Sequence, residues 1–395
     1  MNMIIKFFED EALSRFHPLT LTRPLDDLRC GAFTIREKWL KILNTTYYTR
    51  TERSPVTEYY PQNLPQEQSS VYWINSRCLP DAYLAAAIND LNSGETLYSR
   101  DVIVAAKTDK LNAANIPDFQ SFEKKVVESV QILTGATDLF TLNGDQINSD
   151  SAWYSFGQSP SPGVSPHALI DNPENISIGD EVVIEPFVFT DTTEGPVIIE
   201  DGAEIMANSV IHGPAVIGKG SVVKAGTRLY KDTTLGPVCK VGGEVSNIIM
   251  QGFSNKAHDG YLGNSVIGEW CNLGADTTSS NLKNNYSLIR LRDWNTQKPY
   301  DSGLQFCGVL MGDHTKTSIN TMINTGSQFG VSCNVIAGKF PPSFLNSFSW
   351  LNSDKIYIYQ IEKALETARK VMARRNFELT SEYERMLTEI YQLRE

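Results

Sequence analysis

The amino-acid sequence predicts an N-terminal α/β domain, a left-handed parallel β-helix and a pair of C-terminal helices. Three observations carry this. Aliphatic residues recur every six positions through the middle of the chain. The first 155 residues lack that beat and instead mix short apolar strands with helical stretches. Residues 357–395 switch to helical spacing.

Within residues 1–155, the runs at 3–8 (MIIKFF), 71–74 (VYWI) and 102–106 (VIVAA) have strand length and composition. Residues 81–91 (DAYLAAAINDL) read as a helix with Asp81 as its N-cap. Together they predict a mixed, Rossmann-like sheet. The polar stretch Thr45–Ser70 reads as a long loop. Residues 156–174 hold four prolines and no period, so they read as a linker.

From 175 to 345 the beat dominates. Ile199, Ile205, Ile211, Ile217, Val223 and Leu229 stand six apart. Ile178 and Ile184 precede them, Ile267 and Leu273 follow, and Met311, Ile323, Phe329 and Val335 complete the series, with Thr317 as the polar entry. A period of six fits neither a helix nor a plain strand. It fits a three-sided coil in which each hexad supplies one short strand and one corner, the aliphatic residue pointing inward. Three hexads per turn imply roughly seven to nine coils. Two breaks interrupt it, a small one near 190–196 and a polar excursion at 278–308 that carries Arg290 and Arg292. In the tail, 346–395, Ile358, Ile361, Leu365, Ala368 and Met372 follow helical spacing. Ser381 and Glu384 have the form of a capping box. These helices are expected to cover the open end of the coil or a neighbouring copy, because bare coil ends expose strand edges.

A net charge of −11 argues against nucleic-acid partners. No apolar run of membrane-spanning length occurs, the acidic start does not resemble a secretory leader, and six scattered cysteines read as reduced thiols. A cytoplasmic protein is expected.

Five histidines occur, at 17, 167, 212, 258 and 314. His258 has the most informative setting: Lys256 precedes it, Tyr261-Leu262-Gly263 follows, and Asn272-Leu273-Gly274-Ala275 leads on to Asn281. His314 is the rival base, and His212 reads as structural or exposed. The His258 stretch resembles the acetyltransferase half of the bifunctional N-acetylglucosamine-1-phosphate uridyltransferase/glucosamine-1-phosphate N-acetyltransferase family. That family has a catalytic His five residues before the Gly of a Tyr-Leu-Gly triplet. Leu282 stands where the family has an aromatic residue.

The resemblance implies acetyl transfer from acetyl-CoA to an amino-sugar phosphate, with His258 as general base. Lys256 is then expected to bind the sugar phosphate, Tyr261 and Asn281 to hold sugar hydroxyls, and CoA to lie along coils 311–338. It also implies a homotrimer with sites between adjacent coils.

Residues 15–24, from Arg15 through Thr20 and Arg23 to Pro24, resemble the Arg-x-x-Pro-Leu-Thr segment of sugar-phosphate nucleotidyltransferases. The resemblance makes Arg15, Thr20 and Arg23 candidates for nucleotide binding. The glycine-rich triphosphate loop of that family is replaced by Glu9-Asp10-Glu11-Ala12-Leu13-Ser14. The metal-binding acid expected after VYWI is replaced by Asn75-Ser76-Arg77, which leaves Gly144-Asp145 as a substitute or a plain turn. Mg²⁺ is expected only if this domain is active. Two other readings stand beside this one: a non-catalytic nucleotide-sugar-binding scaffold, and a metal hydratase of the carbonic-anhydrase type, for which the histidines are too widely spaced.

Overall fold

The computed structural model describes residues 3–65, 70–109, 116–157 and 162–394. Contacts divide the chain into two units. One comprises the residues up to Phe16, Arg23–Leu28 and Phe33–Gly135; the other comprises His17–Thr22, Arg29–Ala32 and the chain from Ala136.

The first unit is built on a six-stranded mixed sheet: β1 (Ile4–Phe8), β2 (Tyr48–Arg50), β3 (Val71–Asn75), β4 (Glu95–Ser99), β5 (Val102–Thr108) and β6 (Glu123–Val126), in the order β2-β1-β3-β5-β4-β6. β1 is buried throughout because parallel partners flank it on both sides. α1 (Ile35–Ile42) starts at a capping box between Thr34 and Glu37. α2 (Val56–Tyr59) is a single turn, and α3 (Ala82–Asn89) is capped by Asp81, whose side chain accepts from Leu84 N at 2.7 Å. β2 and α2 lie in the stretch read as a loop. β2 has only three residues, and its pairing with β1 fixes it more than its own composition does.

The second unit opens with α4 (Thr137–Thr141) and α5 (Asn143–Asp150), then forms a parallel β-solenoid of about 10 turns. The aliphatic beat is its interior: Ile184, Ile205 and Val223 lie in one column, Ile211 and Leu229 in a second, and Ile199 and Ile217 in a third, all at most 1% exposed. Each such side chain contributes about 1.5–3 kcal/mol on burial. The ladder is longer than the beat alone indicated. Val164 bridges Ile184 and Leu169–Ile170 pairs with Phe189–Thr190, so the described part of the linker already belongs to it. Residues 158–161 of that linker lie outside the described residues. At the far end Phe344–Leu345 and Ser349–Asn352 add strands, and Lys355–Ile358 then pairs antiparallel.

One corner column is made of Gly202, Gly220, Val238, Phe253, Trp270, His314, Ser332 and Phe348, each in the left-handed region. Successive members are tied by hydrogen bonds such as Phe253 N to Pro237 O, 2.8 Å, and His314 N to Glu269 O, 2.9 Å. The C-terminal helices α6 (Ile361–Ala373) and α7 (Ser381–Gln392) lie along this corner rather than over the open end. The aromatic members supply what an amphipathic helix needs. Phe377 packs edge-on to Phe253 and Trp270, the Tyr383 hydroxyl meets His314 Nε2 at 3.1 Å, and Tyr391 packs on Phe348.

All six cysteines are free and buried. Three repeat one device: the backbone N–H of Cys239, Cys271 and Cys333 donates to Ser221, Ser254 and Thr315 hydroxyls respectively. Burial pushes the thiols of Cys239, Cys271, Cys307 and Cys333 up to about 12 from 9.0. Unfolded thiols therefore ionise first, so the stability they give is complete below pH 9.0 and is lost as pH rises toward 12. Each ionising thiol costs about 1.4 kcal/mol per pH unit in that window. Lys256 and Lys316, lowered from 10.5 to about 8 by burial, act oppositely, adding stability as pH climbs between those values. The urea midpoint is expected to fall above pH 9.0, and less steeply in Cys239→Ala. A flat midpoint across that window contradicts the assignment.

Candidate active site

The strand Asn255–Lys256, the turn 257–260 and the strand Tyr261–Glu269 form one corner of the solenoid. Along this face residues alternate out and in. Lys240, Asn255, Asn272 and Lys316 share one register on the outer surface, and Val241, Lys256 and Thr317 share the next, pointing inward. Lys256 thus takes an interior position where its coil neighbours carry valine or leucine. It is 1% exposed, and its Nζ donates to the carbonyls of Gly242 (2.8 Å), His258 (2.7 Å) and Asp259 (3.2 Å). Burial lowers its pKa to about 8 against the opposing pull of Asp259 and Asp276. The expected role for Lys256, a solvent-facing charge for a phosphate, does not match this placement. Its ammonium is turned inward and braces the turn. Gly260 completes that turn at φ +105°, where an added Cβ would sit 2.3 Å from Thr277 O. His258 stands exposed on the braced turn, and its ring has no hydrogen-bond partner among the described residues.

Tyr261 and Asn281 are brought together: Asn281 Nδ2 donates to the Tyr261 hydroxyl at 2.9 Å and to Asn264 Oδ1 at 2.7 Å. Asn264 was not singled out from the sequence. It turns the next corner at φ +46°, a conformation asparagine tolerates. Burial raises the Tyr261 pKa, so the hydroxyl stays a neutral donor. Gly263 explains the Tyr-Leu-Gly triplet physically, because a Cβ there would lie 2.2 Å from the Tyr261 hydroxyl. The Asn281 carbonyl accepts from Cys307 N at 2.9 Å, which closes the foot of the 278–308 excursion.

On the other side of His258 lies a cavity of about 720 Å³ between the solenoid face and the end of α6. Its lining includes His258, Trp270, Lys240, Lys316, Arg374 and Arg375, and no carboxylate. No local pattern in the sequence places the tail beside His258.

The remaining candidates are placed elsewhere. His314 is 2% exposed and held by Tyr383, so it is a corner residue sealed from substrate. His212 is half-buried, with Nδ1 3.1 Å from Asp191 and its ring stacked on Tyr230. Arg290 pairs with Asp301, and Arg292 Nη1 donates to Gln297 O, both within an exposed hairpin.

Of the nucleotide candidates, Arg15 and Arg23 belong to the first unit and Thr20 to the second. Arg15 is exposed, but Arg23 is 1% exposed and sealed from any ligand. Thr20, in the second unit, is fully buried, with its hydroxyl 2.8 Å from His17 Nδ1. After β1, where a phosphate-wrapping loop is required, Asp10 accepts from Arg77 Nε at 2.8 Å and from Asn75 Nδ2 at 2.9 Å, and Glu9 accepts from Arg53 at 2.7 Å. A divalent cation there would face the Arg77 guanidinium, so these residues do not fit Mg²⁺. Gly144-Asp145 is no substitute: it lies inside α5, Gly144 packed against Asp232 and Asp145 exposed. Among the described residues no cluster of three His, Cys, Asp or Glu side chains is placed to hold a metal, and no helix is long and apolar enough to cross a membrane.

Comparison with known proteins bears on both units. Residues 5–158 match the family model of sugar nucleotidyl transferases, and residues 196–231 match the bacterial transferase hexapeptide (six repeats). The bifunctional sugar-1-phosphate nucleotidylyltransferase/acetyltransferase of Sulfurisphaera tokodaii is 35% identical over 148 residues, covering 37% of this chain and 36% of its own. The bifunctional protein GlmU of Rhodococcus opacus is 26% identical over 286 residues, covering 67% of this chain and 51% of its own. The chain thus spans a third to a half of the length of these relatives. Among solved structures, the UDP-N-acetylglucosamine acyltransferase of Francisella novicida, at 14% identity, covers 58% of this chain and 79% of its own with a TM-score of 0.29. The chain thus joins a stretch that matches the sugar nucleotidyl transferase model to a solenoid that matches the hexapeptide-repeat model, and it is similar to the bifunctional sugar-1-phosphate nucleotidylyltransferase/acetyltransferase of Sulfurisphaera tokodaii and to the bifunctional protein GlmU.

Proposed function

We propose that the solenoid transfers an acetyl group from acetyl-CoA to the amine of an amino-sugar phosphate of the glucosamine-1-phosphate kind. One observation carries the reading: an exposed imidazole on a turn braced from inside by Lys256, with a Tyr–Asn–Asn cluster on one side and a cationic cavity on the other. The amine attacks the thioester carbonyl and must lose a proton as the C–N bond forms. His258 takes that proton, and the thiolate leaves as the C–S bond breaks. Tyr261 and Asn281 hold the sugar hydroxyls, and a backbone N–H near the turn steadies the developing oxyanion. The acetyltransferase in the name of the Sulfurisphaera tokodaii relative supports this chemistry. A homotrimer, with each site lying between adjacent copies, is the assembly we assign to it.

The test is release of free thiol from acetyl-CoA in the presence of glucosamine-1-phosphate and other amino sugars. Turnover that disappears with His258 supports the reading; absence of turnover across the panel ends it. Gly263→Ala, which crowds the Tyr261 hydroxyl, is expected to raise the acceptor KM about tenfold while changing kcat less. An unchanged acceptor KM removes Tyr261 from the sugar site.

The N-terminal unit is a ligand-binding or assembly domain in this reading. With Asp10 neutralised by Arg77 and no glycine loop after β1, nucleotidyl transfer is expected to be absent. Incorporation of labelled pyrophosphate into UTP from UDP-N-acetylglucosamine would overturn that.

A further inference from the structure

The excursion between Asn281 and Gly308 is anchored at both its foot and its hairpin. Its return strand is fastened to the Tyr261–Asn281–Asn264 cluster at two points: Cys307 N donates to Asn281 O at 2.9 Å, and Gly308 N donates to Asn264 O at 2.8 Å. Gly308 fits this close approach because it lacks a side chain; a Cβ there would lie 2.2 Å from Gly263 O. The hairpin is fastened to the next coil. Gln328, 4% exposed, accepts from Arg292 N at 2.7 Å and donates to Arg292 O at 3.0 Å, so its amide takes the place of a strand partner. Ile289 and Leu291 are buried beneath it. Between these anchors the foot turns apolar groups outward. Leu282 bridges Phe306 antiparallel, and Phe306 is 46% exposed and Tyr286 66%. Gln305 Nε2 donates to Tyr286 O at 3.1 Å and Lys283 Nζ to Leu288 O at 2.8 Å, which folds the intervening loop back onto the foot. The Phe306 ring thus stands in solvent on a backbone fixed at both ends, beside a polar cluster.

We infer that the foot of the excursion is a wall of the acceptor site, with the Phe306 ring packing on the C–H face of the amino sugar, and that Gln328 is a positioning residue that holds this wall in place. A hexosamine ring carries hydroxyls around its rim and C–H bonds on its faces. The cluster offers a hydroxyl and two amides, which suit the rim. Phe306 adjoins Cys307, the residue bonded to Asn281, so its Cα is about 3.8 Å further along the chain. It supplies the flat apolar surface that suits a face. An open-chain amine bearing a phosphate would meet the same polar groups and the same imidazole, but it has no ring to lay on the phenyl group. The wall therefore selects cyclic acceptors over open-chain ones, a choice that His258 alone does not make. That the bound sugar is an acetyl acceptor rests on the acetyl-transfer reading; the sugar-binding wall does not.

The experiment compares the full chain with Phe306→Ala, Phe306→Tyr and Gln328→Ala, using glucosamine-1-phosphate as acceptor and 2-aminoethyl phosphate, which has the amine and the phosphate but no ring, as competing acceptor or inhibitor. Phe306→Ala is expected to raise the KM for glucosamine-1-phosphate about tenfold. The KM for acetyl-CoA and the constant for 2-aminoethyl phosphate are expected to stay within about twofold, so the preference for the ring falls by about tenfold. Phe306→Tyr keeps the ring and is expected to stay within about threefold of the parent. Gln328→Ala is expected to raise the same acceptor KM while kcat and the acetyl-CoA KM change by less than about twofold. An unchanged KM for glucosamine-1-phosphate in Phe306→Ala, or equal losses for the cyclic and open-chain compounds, overturns the wall. A change in sedimentation of Phe306→Ala places the ring between copies and overturns its contact with the sugar. Gln328→Ala with a parent-like acceptor KM overturns the positioning role. Calorimetric binding of N-acetylglucosamine-1-phosphate separates the two readings. If that binding weakens in Phe306→Ala but no amino sugar is acetylated, the function proposal fails and the wall stands. If acetylation depends on His258 while binding and KM ignore Phe306, the wall fails and the function stands.

Discussion

His258→Ala is expected to lower kcat for acetyl transfer by about 10²–10⁴, the range for removing a positioned general base. The side chain is exposed on a turn whose geometry is set by Lys256 and Gly260, so its truncation leaves no cavity and frees no buried polar group. Thermal stability is accordingly expected to stay within about 0.5 kcal/mol of the parent. Affinity for both substrates should also survive, because the sugar contacts are assigned to Tyr261 and Asn281. The measurement is steady-state kinetics beside calorimetric binding of each substrate. A loss of only a few fold, with binding intact, would transfer the proton-accepting role to another group.

Lys256→Met tests the brace. Methionine is apolar and flexible, so it can occupy the interior column beside Val241, but it cannot donate to the carbonyls of Gly242, His258 and Asp259. Leaving those acceptors unpaired costs about 1–3 kcal/mol each in the worst case. Removing a buried ammonium recovers part of this. A net loss of roughly 2–4 kcal/mol is expected in urea denaturation. Because the turn carries His258, kcat should fall by about 10²-fold while coenzyme A affinity stays near the parent value. A purely structural lysine would not produce that split between kcat and binding. Parent-like kcat in a destabilised variant would reduce Lys256 to packing.

The hexad beat made the solenoid legible because one aliphatic residue per short strand must face inward, whatever the outer residues are. Lys256 shows where that legibility stopped. It sits on the interior register, yet a lysine reads as a surface charge from sequence, and only the three carbonyls converging on it explain its burial. Asn264 went unnoticed because its role depends on a corner conformation and on a partner seventeen residues away. Arg374 and Arg375 read as cations suited to a helix C-terminus. Their place beside His258 is a tertiary fact, carried by α6 lying along a corner rather than over the end. In the N-terminal unit the strands were readable as apolar runs, whereas β2 and α2 exist through pairing and packing that no local pattern announces.

The helical hairpin works as a ruler. Arg375 is fastened at Val238 and Asn255, Tyr383 at His314, and Tyr391 at Phe348, so its length is matched to the number of turns between those points. Each turn adds about 4.8 Å along the prism, whereas each helical residue adds about 1.5 Å. A duplicated turn inserted between residues 271 and 313 would keep every interior side chain in register, yet it would pull the arginines out of reach of His258 unless the hairpin also grew by about three residues. Drift in the length of this prism is therefore constrained by its tail: turns and helix residues have to be gained or lost together.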